Sequence, residues 1–160
     1  MLNKYLGALE KWFLIISLAF SSCLILLQII MRSVFNNGLG WSEELARFLF
    51  IWQVWIGIAY ATSRWNHLRI TVLRDLARGK FKEVWELLVI VWWFAFGMFL
   101  IYKGYTFSAM VAHNNQRSTA LRVPMALVYV SIPVGATLMN LHLIEVFIEK
   151  IKNFGKGDKA

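Results

Sequence analysis

The chain has 160 residues, of which 59% are hydrophobic, and its mean hydropathy is +0.56. Ordinary soluble domains are about 45–50% apolar, so this composition excludes a soluble globular protein and favours a membrane protein. The formal net charge is +8. Because the basic residues alternate with apolar runs along the chain, we attribute this charge to membrane topology and expect no nucleic-acid partner.

Four charge-free apolar runs organise the chain. Unbroken runs of this kind favour helices over a barrel, whose strands show only weak alternation. The two middle runs are shorter than the roughly 20 residues that a span needs, but apolar flanks extend them. We predict an all-α integral membrane protein with a single domain over 1–160 and four transmembrane helices at about 12–34, 42–64, 84–106 and 123–148.

The first run, Trp12–Met31, follows Lys4 and Lys11 and contains no charged residue. Twenty helical residues cover about 30 Å, which is a full membrane span and too long for the apolar part of a signal peptide. Cys23, the single cysteine, lies in this run. We expect it to be buried and inert, and it has no partner for a disulfide within the chain.

Before the second helix, Asn36-Asn37-Gly38 predicts a turn. Ser42 is a favourable N-cap residue, and Glu43 and Glu44 would follow it in the first turn, near the positive end of the helix dipole. Glu43 and Arg47 are four residues apart and are predicted to pair on one helix face.

With Trp41 ahead of them, these acidic and basic residues form the densest polar group near a membrane boundary. Charged residues in this position pair with each other or with a partner protein. We therefore predict a docking role for Trp41, Glu43, Glu44 and Arg47, with a simple helix start and surface ion pair as the alternative.

The segment 67–79 has two interpretations. On a helical wheel its apolar and polar residues separate to opposite sides, apart from Arg69, as in a helix lying in the headgroup region. A short soluble turn helix is the alternative, and the pattern does not decide between them. In the fourth helix, Pro124 suits the first turn and Pro133 is predicted to kink the helix.

Lys and Arg counts predict the orientation. The N-terminus, the segment between helices two and three, and the C-terminus together carry twelve, against five on the other side. The positive-inside rule therefore predicts that both termini are cytoplasmic.

Within the charge-free runs there is no Asp or Glu, whereas proton-coupled exporters need an ionisable group at membrane depth. Gln28 and Gln53 are the most polar deep residues apart from serines and are expected to form hydrogen bonds across helices. His67, His113 and His142 raise the alternative of a haem or quinone anchor subunit, although a bis-histidine haem needs two rings at similar depth. A small dimeric exporter is a further alternative.

The string Trp41-Ser42-Glu43-Glu44-Leu45-Ala46-Arg47 resembles the small membrane subunit of tripartite ATP-independent periplasmic (TRAP) transporters. Arg32 ahead of it, and Gly57, Arg64 and His67-Leu68 after it, are similar to the same family, as are Val123-Pro124 and Ile132-Pro133-Val134-Gly135. The chain departs from the family's pattern at Thr71, Thr119 and Ala126. The resemblance spans most of the chain, and the first string is its most specific part.

This resemblance implies a non-catalytic scaffold subunit in the bacterial inner membrane. Its implied partners are a large polytopic membrane subunit, which binds sodium and carries an organic acid such as a dicarboxylate or sialic acid, and a periplasmic binding protein. No cofactor or metal is expected in this chain. The positions that we assign to subunit contact or to structure, including the membrane-buried Gln53, are Arg32, Trp41, Ser42, Glu43, Glu44, Arg47, Gln53, Gly57, Arg64, His67, Pro124, Pro133 and Gly135.

Overall fold

The computed structural model describes residues 2–36, 38–64 and 80–153. In this part of the chain the elements are all helical apart from one isolated β-bridge. They are α1 (Leu2–Phe35), α2 (Gly40–Ser63), α3 (Lys80–His113), the short α4 (Ala126–Tyr129) and α5 (Ser131–Asn153).

Four stretches of the described chain are long and apolar enough to cross a membrane. In lipid the backbone must satisfy its own hydrogen bonds, which a helix does within a single segment. These stretches confirm the predicted fold class: Leu6–Phe35, Gly40–Ser63, Leu87–His113 and Ala126–Lys152.

Several boundaries differ from those expected. α1 begins well before Trp12, and its membrane stretch includes Glu10. The prediction that the first membrane span contains no Asp or Glu was therefore wrong. Cys23 is exposed rather than buried, so that prediction was wrong.

The segment 67–79 lies outside the described residues, and its two interpretations stay open.

The predicted turn between α1 and α2 is confirmed. α1 ends at Phe35, and Asn36 has a positive φ of 49°, a conformation that Asn tolerates at the end of a helix. α2 then begins at Gly40. The tight connection makes α1 and α2 neighbours along their length.

The fourth span is interrupted where Pro133 predicts a kink. α4 ends at Tyr129 and α5 begins at Ser131, which leaves Val130 between them. Proline has no N–H to donate to the carbonyl four residues earlier, that of Tyr129, and its ring crowds that carbonyl. The break therefore falls where the proline removes the helical hydrogen bond.

The helices pack in the order α1, α2, α5, α3, which differs from their order in the chain. α5 is the most buried span, because α2 and α3 pack on it from two directions. The buried apolar cluster accordingly draws on α2, α3 and α5 and consists of Ala59, Ile90, Met139, Leu143 and Val146. α1 and α3 stand at the two ends of this row, with much of their apolar surface exposed.

Candidate functional site

The start of α2 is built around Ser42, but not as predicted. The helix begins two residues earlier, Leu39 is the N-cap residue, and it makes no side-chain cap. Ser42 lies in the first turn, fully buried, and both its backbone N–H and its hydroxyl donate to the Leu39 carbonyl, at 3.1 and 2.7 Å. The N-cap assignment was therefore wrong, and Ser42 instead satisfies the carbonyl that precedes the helix.

Glu44 binds the connection between α3 and α4. Its carboxylate accepts hydrogen bonds from the backbone N–H groups of Thr119, Ala120 and Leu121, at 3.0, 3.0 and 2.9 Å. The Thr119 hydroxyl donates to the same group. Bonds from backbone N–H to an ionised carboxylate are among the stronger protein hydrogen bonds, so Glu44 is a structural clamp between α2 and this connection.

The connection itself is folded back on its own backbone. Ser118 donates to the Val123 carbonyl at 3.0 Å and Met125 to the Gln116 carbonyl at 2.9 Å, and a β-bridge joins Arg117 to Pro124. Pro124 therefore lies two residues before α4 and not in its first turn, which corrects the prediction. The closed base presents the three consecutive N–H groups at the tip to Glu44.

Glu43 and Arg47 face the surface. They form the predicted ion pair at 3.4 Å, with side chains 60% and 65% exposed, and Gln28 of α1 donates to the other Glu43 oxygen at 3.3 Å. An exposed pair of this kind contributes little to stability. Trp41 beside them is also exposed, and Arg32 forms no ion pair with any described residue. The structure thus leaves these side chains available to another molecule.

Deeper in the bundle, Gln53 confirms the predicted bond across helices. Its side-chain amide donates to the Ser21 hydroxyl of α1 at 2.9 Å, and that hydroxyl donates in turn to the Ser17 carbonyl. Gly57 also faces α1, with Leu14 at 4.0 Å from the position that a Cβ would occupy. These residues join α1 to α2 by ordinary packing and one polar contact.

At Gly135, α5 approaches the backbone of α2 closely. A Cβ there would lie 2.7 Å from the Trp55 Cβ and 2.8 Å from the Trp55 carbonyl oxygen. The absence of a side chain therefore lets α5 pack directly against the backbone of α2.

The remaining predicted positions are peripheral. Arg64 follows the end of α2, with its guanidinium 5.6 Å from the centre of the Tyr60 ring. His67 lies outside the described residues. The structure pairs Glu43 with Arg47 on the surface of α2, whereas no described contact joins Trp41 or Arg64 to this pair.

Sequence reasoning missed the contact between Glu10 and His142. The His142 ring nitrogen Nε2 lies 3.0 and 3.2 Å from the two Glu10 carboxyl oxygens, and both side chains are buried. The predicted topology already placed both residues near the cytoplasmic ends of their helices, and that shared depth was the signal that could have paired them. Asn140, two residues before His142 on α5, is also buried against Gly97.

The chemistry of this arrangement is that of packing and recognition. In the part of the chain that the structure describes, no group of three or more His, Cys, Asp or Glu side chains is placed to hold a metal ion. The polar residues of the Trp41–Arg47 string divide between an inward structural clamp and an outward charged surface.

Comparison with known proteins identifies the family. The family described as the DctQ component of tripartite ATP-independent periplasmic transporters matches residues 21–153. A TRAP transporter small permease protein of Haemophilus influenzae is 26% identical over 88% of this chain and 86% of its own length. The C4-dicarboxylate TRAP transporter small permease protein DctQ of Vibrio cholerae is 18% identical over 90% of this chain and 72% of its own.

A longer relative gives a further match. The isethionate TRAP transporter permease protein DctMQ of Oleidesulfovibrio alaskensis is 25% identical over 74% of this chain, and the chain spans 19% of that protein's length. The family match covers most of the chain and all four membrane stretches in whole or in large part. It makes the chain a transporter component rather than an enzyme or a respiratory anchor: the protein belongs to the DctQ-component family of tripartite ATP-independent periplasmic transporters.

Proposed function

We propose that this chain is the non-catalytic scaffold subunit of a TRAP-type importer and docks on a large polytopic membrane subunit through Trp41, Glu43 and Arg47. The observation that carries the proposal is the division of roles among the polar side chains of the first two turns of α2. Ser42 and Glu44 are used inside the chain, whereas Glu43 and Arg47 are exposed at the start of a membrane-spanning helix. Charged groups in that position are best satisfied by a protein partner.

The transported substrate is an organic acid. Two of the relatives carry isethionate and C4-dicarboxylate in their names, and the sequence resemblance adds sialic acid. All three are anionic organic molecules. A periplasmic binding protein delivers the substrate, and the large subunit binds both the substrate and the coupling sodium, so this chain needs no cofactor.

The chain lies in the bacterial inner membrane with both termini in the cytoplasm, as the distribution of Lys and Arg supports. Cysteine labelling tests this orientation in a Cys23→Ser background. Asn114→Cys, in the connection after α3, should react with an impermeant maleimide from the periplasmic side. Lys152→Cys, at the end of α5, should react only after the inner membrane is permeabilised. The reverse pattern would refute the orientation.

The docking proposal is tested by purifying the tagged chain from native membranes in mild detergent and identifying the associated proteins by mass spectrometry. We expect a stoichiometric large polytopic membrane protein of the transporter. The double variant Glu43→Ala/Arg47→Ala should recover less of that protein at an unchanged level of this chain. Arg117→Ala removes an exposed charge from the connection and serves as the matched control. Wild-type recovery by the double variant would exclude this surface as the docking site.

A further inference from the structure

A second surface of the molecule carries a charge that the described chain does not satisfy. Lys103 is exposed on α3, inside the membrane stretch Leu87–His113. It lies ten residues before His113, which corresponds to about 15 Å of helix. The exposed apolar side chains Phe107 and Met110 lie between Lys103 and the end of the helix, so the lysine is within the apolar surface and not at its border.

Lys103 belongs to one continuous face of α3. Spacings of three and four residues place its members on the same side of a helix. Their apolar side chains are 41–77% exposed. We call this surface the Lys103 face; it consists of Trp92, Phe96, Phe99, Lys103, Phe107 and Met110.

The described fold covers this face only near Phe107, whose ring packs edge-on against the Tyr129 ring of α4 with 4.9 Å between centroids. α3 contacts α5 through other residues: Gly97 lies against Asn140, and Gly104 lies against Ile132 and Pro133. α3 is also at one end of the row of membrane-spanning helices, and besides α5 it packs only on the short α4 among the elements in close contact. Apart from Phe107, the Lys103 face is therefore free for a molecule outside the described chain.

The charge on Lys103 has no acidic partner among the described residues. The ammonium group lies 5.7 Å from the centre of the neighbouring Tyr102 ring, which offers only a weak cation–π contact at an exposed site. The acidic residues Glu10, Glu43 and Glu44 are bound to other groups of the chain. A lysine that faces lipid tails is unfavourable, and charges within membrane helices are usually paired with one another or with backbone carbonyls.

We propose that the Lys103 face docks on a transmembrane helix of the large membrane subunit and that Lys103 pairs there with an Asp or Glu at matching depth. This inference rests on the proposed function for the existence of that partner and adds the surface and its chemistry. The end of α3 leads into the connection that Glu44 binds, so the Lys103 face of α3 ends at the same end of the bundle as the start of α2.

Photo-crosslinking tests the position of the partner. A photoreactive amino acid at Phe99, on the Lys103 face, should crosslink to a membrane segment of the large subunit that contains Asp or Glu. The same amino acid at Met98, which is similarly exposed but turned about 100° around the helix, is the matched control and should not. Crosslinking to lipid alone from Phe99, or equal protein crosslinking from both positions, would overturn the inference.

Substitution of the lysine tests the pairing. Lys103→Leu makes the helix more suitable for lipid, yet it should reduce the amount of large subunit recovered per chain by at least about tenfold, because the partner carboxylate is left buried and unpaired. Lys103→Arg should keep most of the recovery, and Lys103→Glu should be rescued by a basic residue at the crosslinked carboxylate. Wild-type recovery by Lys103→Leu would overturn this inference alone. Failure of the unmodified chain to recover any large subunit would overturn the proposed function as well.

Discussion

The carboxyl group of Glu10 and the imidazole of His142 lie 3.0 Å apart in the interior of the bundle, although 132 positions separate them in the chain. The contact joins α1 directly to α5, whereas α1 otherwise packs on α2. A buried polar group is costly unless it is hydrogen-bonded, so each of these side chains depends on the other.

Breaking this contact from either side should destabilise the protein. Glu10→Ala or His142→Ala leaves one buried polar group without its partner, which costs about 3 kcal/mol. The double substitution removes both groups and should cost less than the sum of the single ones. Thermal unfolding in detergent, followed by tryptophan fluorescence, measures these differences. Glu145→Ala removes an exposed carboxylate of α5 and is the control; strictly additive single effects would argue against the pair.

Replacing Glu44 should release the connection between α3 and α4. In Glu44→Gln, the side-chain carbonyl oxygen still accepts hydrogen bonds but the NH2 group cannot, so either the Leu121 N–H or the Thr119 and Ala120 N–H groups lose their acceptor. We expect faster hydrogen exchange at these amides and little change in the helix interiors. Glu43→Gln, one residue earlier and facing the surface, should leave the exchange unchanged. Equal protection in both variants would show that Glu44 does not hold the connection.

Two glycines with different surroundings should respond differently to a methyl group. Gly135→Ala places a Cβ against the Trp55 backbone and should destabilise by about 1–3 kcal/mol, because backbone atoms must move. Gly57→Ala meets only Leu14 at an ordinary van der Waals distance and should be neutral or stabilising. Denaturation in mixed micelles compares the two variants, and tolerance of alanine at Gly135 would contradict the close approach of α2 and α5.

The bond between Gln53 and Ser21 should contribute only modestly. Hydrogen bonds between membrane helices average about 0.6 kcal/mol, and in Gln53→Leu the Ser21 hydroxyl keeps its bond to the Ser17 carbonyl. We therefore expect a loss of about 1 kcal/mol or less in the same assay. A loss as large as that of Gly135→Ala would mean that Gln53 has a further partner or packing role.

Local features were predictable from the sequence because they depend on neighbouring residues. The four apolar runs, the turn after Phe35, the break ahead of Pro133 and the pairing of Glu43 with Arg47 all follow from spacings of a few residues. The same local reasoning misplaced the start of α2. Ser42 matches the N-cap pattern, but it lies three residues after the observed N-cap, Leu39, whose carbonyl already begins the hydrogen-bonded turn.

The sequence by itself determined that this is a four-helix membrane protein and indicated its family. Only the tertiary structure decided what its polar residues do. Glu44 was grouped with its neighbours as a docking residue, but its ligands lie 75–77 positions away in a connection that packing brings alongside α2. The contacts of Glu10 with His142 and of Gly135 with Trp55 likewise depend on the order in which the helices pack. The pattern of apolar residues does not encode that order, because every helix that faces lipid is apolar.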